Sequence, residues 1–215
     1  MKIMKNPISL SIVLLATPLM GQQVPFAATA NNRFGLDLYR EMAAREGNLC
    51  LSPLSIMTAL AMTANGAAGD TLAEMEKTLH CSGNLSQLNA SMRDLLEDFR
   101  KRKEQAAALA EKNPARKAGG PSFDFTVTNS LFGQEGYPFR REFLATLEKS
   151  YRAPLRFADF RKRAEAERVR INEWVSARTN KKIEDLVRFF HAYTQARATA
   201  LFTATACCSP RCSQL

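Results

Sequence analysis

Histidine is nearly missing from this sequence: His80 and His191 are the two in 215 residues. A serine or cysteine nucleophile usually draws its base from histidine, and no Gly-x-Ser-x-Gly elbow is present to present such a nucleophile. There is no glycine-rich phosphate loop, no cluster at metal-ligand spacing and no nucleic-acid motif. These gaps point away from an enzyme, from any cofactor or metal, and from a nucleic-acid partner. His80 falls at a predicted helix end, close to its last carbonyls, and reads as a structural or capping residue.

Cysteine is sparse and uneven. Cys50 and Cys81 lie in the body, while Cys207, Cys208 and Cys212 crowd the end. An odd total at irregular spacing is not a disulfide framework. The Cys-Cys-x-x-x-Cys tail has no further histidine or cysteine near it to complete a tetrahedral zinc site.

Also missing is an apolar run of about 20 residues, the length that crosses a bilayer. The nearest approach is residues 8–20, mostly apolar and preceded by Lys2 and Lys5. A basic head and about a dozen apolar residues fit a signal peptide. Its end falls after Gly21, or further on near Ala28 or Ala30; Asn6-Pro7 and Pro18 interrupt the alternative, a buried first helix. The sequence therefore predicts a secreted, extracellular product with residues 1–21 removed, the boundary extending as far as 30.

What is present is enough for one packed domain. Hydrophobic residues make up 46% and charged residues 24%, a globular balance. The net charge of +9 favours polyanions or anionic surfaces without selecting one.

From about Asn31 the periodicity reads as alternating helices and short strands. Phe34, Leu38 and Met42 mark a first helix over 32–44. Leu49-Cys50-Leu51 is a short strand candidate. Ser52-Pro53 opens a second helix, with serine as cap and proline at the first helical position. Leu54, Ile56, Met57, Leu60, Ala61 and Met62 leave this helix no polar face, so it is expected to be buried all round. Thr71-Leu72-Ala73-Glu74 has capping-box spacing, with Leu72, Met75 and Leu79 inward. A fourth helix covers 85–110 with Leu88, Met92, Leu95, Leu96 and Phe99 inward. Beyond Gly119-Gly120-Pro121 the period changes to two. Phe123, Phe125, Val127 and Leu131 alternate with Asp124, Thr126 and Thr128, which argues for a long strand. Phe139, Phe143 and Leu147 give another helix, residues 155–160 another strand, and residues 164–178 a helix with Ile171, Trp174 and Val175 inward.

These residues carry a resemblance. Asn48-Leu49-Cys50-Leu51-Ser52-Pro53-Leu54-Ser55-Ile56, then Ala59-Leu60-Ala61-Met62 and Gly66-Ala67-Ala68-Gly69-Asp70-Thr71, are similar to the serpin segment that joins a buried strand to the central helix. Asn129-Ser130-Leu131-Phe132 resembles the family's "NSLF" strand, and residues 151–160 resemble the strand that ends in Asp-Phe. Ile171-Asn172-x-Trp174-Val175, followed by Thr179-Asn180-x-Lys182-Ile183-x-Asp185-Leu186, resembles its helix and exit loop. The matches run in family order over residues 31–187.

The resemblance implies an α+β serpin fold, here the buried central helix and the first strands of the main sheet. It implies inhibition of serine proteases by a cleaved reactive loop that inserts into that sheet. It places Ser52 and Ser55 at the shutter, where the sheet parts above the central helix. Residues 188–215 do not resemble the strand expected next and read as a divergent tail. The small-residue stretch 196–206 has only a superficial likeness to a loop hinge. With no reactive loop in these residues, the chain is expected to be non-inhibitory and to self-associate through an exposed sheet edge.

Two surface features complete the reading. Arg100, Lys101, Arg102 and Lys103, joined by Lys112, Arg116 and Lys117, form a basic helix end and loop. In some members of the family this helix binds sulfated polysaccharide, and a sulfated glycosaminoglycan is the alternative partner. Asn84-Leu85-Ser86 and Asn89-Ala90-Ser91 are glycosylation sequons.

Overall fold

The computed structural model describes residues 24–44, 47, 49, 51–112, 126–188 and 201–208. The signal segment, Cys50, Phe123, Phe125, Arg116, Lys117, His191 and Cys212 lie outside the described residues.

Helix α1 (Phe26–Ala43) begins six residues before the hydrophobic period predicts. Ala27, Ala30 and Phe34 form a buried stripe, and small side chains there let the helix approach the core closely. The Ser91 hydroxyl accepts the Ala27 N–H at 2.9 Å, satisfying one of the donors that a helix start leaves open.

Helix α2 (Pro53–Ala64) has proline at its first turn, as expected, but Ser52 makes no side-chain capping bond. Neither Leu49 nor Leu51 belongs to a strand. Helix α2 packs against α1, the third to fifth helices and two strands, but the burial is not all round, since Leu54, Ile56 and Leu60 are only half-buried. Met57, Ala61, Met62 and Ala64 are fully buried. Helix α3 (Gly69–Thr78) starts two residues before Thr71, with Ala68 at its N-cap and no side-chain cap. Thr71 thus sits inside the first turn, and the capping box does not form. Leu79 just beyond the helix is fully buried. Helix α4 (Leu85–Glu111) seats Leu88 and Met92 in the same core.

Strand β1 (Thr126–Gln134) lies where the alternation predicts a strand. Ser130 to Gln134 are buried without a break, because each face meets its own apolar cluster. Leu131 joins the cluster of α1, α2 and α4. Phe132, its neighbour, points into a second cluster with Phe160, Ile171 and Val175. The sheet is therefore a layer between two cores.

Helix α5 (Arg141–Tyr151) carries the chain over to β2 (Arg156–Ala158), which runs parallel to β1 with Phe132 opposite Arg156. A parallel pair requires such a crossover. Helix α6 (Ala164–Arg178) matches its predicted span and covers the second core through Ile171 and Val175. The half-buried Trp174 meets Phe132 edge-on, with centroids 5.8 Å apart at 82°.

Strand β3 (Leu201–Cys208) lies in the segment that the sequence pattern reads as divergent. It pairs antiparallel with β1 from Thr126↔Cys208 to Gly133↔Leu201, giving the order β2-β1-β3. Backbone pairing is indifferent to a lost motif, and Phe202, Thr203 and Thr205 are residue types that suit a strand.

Candidate functional site

Helix α2 contacts β1 and β3, with Ser52 just ahead of its first turn and Ser55 within that turn. Ser52 contributes through its backbone: its carbonyl accepts the Ile56 N–H at 3.2 Å. Ser55 is buried, and its hydroxyl has no partner among the described residues. Thr58, one turn on and missed by the sequence reading, donates to the Leu54 carbonyl at 2.6 Å and touches the Met92 sulfur.

The far end of α2 is closed by a buried amide pair. Asn65 and Asn89 exchange hydrogen bonds of 3.0 and 2.7 Å, and the Tyr151 hydroxyl donates to the Asn89 oxygen. Burial pushes the Tyr151 phenol well above the ordinary tyrosine range. Nothing periodic in the sequence flags this network, because its three members come from separate helices. Asn89 is only 8% exposed, so the structure corrects the second sequon: a glycan there would have to replace the network. Asn84 is exposed ahead of α4, its side chain bonded to the Ser82 carbonyl at 3.0 Å.

The basic run does not form one face. Residues 100–103 are consecutive on α4, so they fan around the helix axis. Arg100 pairs with Glu97 at 2.5 Å and also with Glu104, and Arg102 pairs with Asp98 at 2.7 Å. Two of the four cations are thus partly neutralised by their own helix. Lys101 and Lys103 are exposed on it, and Lys112 is exposed at its end.

His80 has φ +54°, the left-handed conformation of a helix terminus. Its N–H returns to the Lys77 carbonyl at 3.1 Å, and Nε2 lies 2.8 Å from Asp37 of α1. It ties two helices together, consistent with a structural part. Cys81, next to it, is buried, and that burial, with Glu76 nearby, pushes its thiol up to about 11.

The serpin family model, described as serine protease inhibitor, matches residues 29–204. The chain belongs to the serpin family. Leukocyte elastase inhibitor of Sus scrofa is 37% identical over 162 residues, covering 74% of this chain and 38% of the relative. An uncharacterized serpin-like protein of Thermococcus kodakarensis is 37% identical over 168 residues, covering 78% and 35%. Emu ovalbumin (Dromaius novaehollandiae) shares the fold with a TM-score of 0.64 at 23% identity, over 84% of this chain and 46% of that structure. The serpin chain thus spans less than half the length of these relatives. The family match continues past residue 187 into β3.

Proposed function

We propose that these residues form the helix-and-sheet frame of a serpin that inhibits serine proteases by loop insertion, and that the 215 residues alone trap no protease. The observation that carries this reading is the β1–β3 pair seated over α2. Insertion needs a sheet that can part over a packed helix start; in this reading Ser52 and Ser55, at the start of α2, serve that shutter, and Ser55 is buried there. The stretch with a superficial likeness to a loop hinge is already committed, since from Leu201 its backbone is paired with β1. The protein acts in this reading as an inhibitor, not a catalyst.

Elastase and trypsin test both halves. The chain alone should be ignored or cleaved without a detergent-stable complex; such a band would overturn the second half. Joined to the C-terminal portion of the porcine relative, a folded chimaera should form that band. A folded chimaera that serves purely as substrate would remove the first half.

Export belongs to the same reading, with cleavage near Gly21. Cleavage after Ala28 or Ala30 would delete the turn that buries Ala27 and bonds Ser91. N-terminal sequencing of secreted material should begin between residues 22 and 26; a start after 28, or retention in the cell, would contradict it.

A further inference from the structure

Between α4, β1, the α5–β2 connection and α6 lies a groove of about 810 Å³, within the range of small-molecule sites. Its charge is one-sided. Arg100, Lys103, Arg152, Arg156 and Arg178 line it, against Glu97 as the one carboxylate among the lining residues. Glu97 is already shared between Arg100 at 2.5 Å and Arg152 at 2.7 Å. Hydrogen bonding from Arg100 and the nearby positive charges hold its carboxyl at about 2, so it stays ionised and engaged.

Among the described residues, Arg156 and Arg178 pair with no carboxylate. The Arg156 guanidinium lies 5.2 Å from the Trp174 ring centroid. Burial, and repulsion from Arg178 and Arg170, lower its proton affinity. Trp174 Nε1 is a buried donor with no acceptor among the described residues. What Trp174 offers the groove is its ring, over which the Arg156 guanidinium lies. The remaining walls include Leu96, Phe99 and Pro154, surfaces that a uniformly hydrophilic polysaccharide would leave unused.

We propose that this groove binds a small organic anion with a flat apolar body. Its carboxylate or sulfonate is held by Arg156 and Arg178 beside the Trp174 ring, and its body lies along the apolar wall. Charge-assisted bonds of this kind are the strong class, and partial exclusion of water strengthens them further. The site shares Arg100 and Lys103 with the basic run of α4 but is centred on Arg156 and Arg178, and does not depend on the inhibitory reading.

Trp174 is the chain's single tryptophan, so its fluorescence reports occupancy. The full chain would be titrated with 4-phenylbenzoate and with the neutral 4-phenylbenzamide, by tryptophan emission and calorimetry. The acid should bind and shift the emission, and the amide should bind at least about ten-fold more weakly. Arg156→Gln and Arg178→Gln should each weaken the acid about ten-fold or more, with unchanged far-ultraviolet circular dichroism. Arg102→Gln, outside the groove, should bind as the parent does. If one groove variant fails to fold, the other decides. Equal binding of acid and amide, no response up to about 1 mM, or full affinity in a folded groove variant would overturn the proposal. So would a heparin octasaccharide that displaces the acid with much higher affinity, which would reassign the groove to a polyanion.

Discussion

The Tyr151 hydroxyl at the end of α5 donates to the carboxamide oxygen of Asn89 in α4, and Asn89 in turn clasps Asn65 just beyond α2. Three helices that are far apart in the chain meet at one amide, with Tyr151 and Asn89 6% and 8% exposed.

The two ends of that bond are unequal. Tyr151→Phe leaves the Asn89 oxygen bonded to Asn65, so the loss should be about 1 kcal/mol. Asn89→Ala removes the phenol's acceptor and the donor to the Asn65 oxygen, while the Asn65 nitrogen keeps the Ala61 carbonyl at 2.8 Å, and should cost about 2–4 kcal/mol. Urea titrations at constant slope measure both; equal losses would contradict the shared-acceptor geometry.

Expression through a glycosylating secretory pathway separates the two sequons. One glycan should be added, at Asn84, and Asn84→Gln should abolish it with little change in stability. Glycan mass on Asn89 in folded protein would contradict its burial.

Asn172 holds the chain as it leaves α6. Its oxygen accepts the Val187 N–H at 2.8 Å, while its amide donates to the Val187 carbonyl at 2.8 Å and to Asp185 at 2.9 Å. Asn172→Ala should cost about 1–3 kcal/mol, from the buried Val187 N–H left unpaired, while the Val187 carbonyl keeps its bond from Arg168 at 3.1 Å. Hydrogen exchange should rise first at Val187; unchanged protection there would argue against the clasp.

Much of this architecture could be read beforehand, and the failures share a cause. Helix α6 and the buried α2 were legible because a run of apolar positions within one segment reports its own burial. The early start of α1 was not, since Ala27 and Ala30 become core only when α4 lies against them. The two-faced burial of β1 was hidden in the same way: Ser130 and Gln134 look polar until a second layer covers them. At the groove, the sequence showed Arg100 and Lys103 but not Arg156 and Arg178, because the sheet brings those residues together from different elements.

Alkaline pH should loosen the fold. Cys81 and Tyr151 both have folded pKa values raised mainly by burial. Their contribution is fully present below the unfolded values, about 8.5 and about 10, and is lost as pH rises through the folded ones. The melting temperature should hold to about pH 8.5 and then fall, through about 11 for the thiol. Cys81→Ala should flatten the first part of that decline; an unchanged profile would refute the assignment.

The corner after α5 turns on Arg152, whose φ of +50° suits glycine better than any residue with a side chain. That posture costs about 1 kcal/mol, while its guanidinium reaches Glu97 on α4 at 2.7 Å. Glycine at this corner would relax the main chain and cut the tether at once. Two opposed effects of similar size nearly cancel in the melting temperature, so a thermal scan would pass over a residue that tethers this bend to its neighbour.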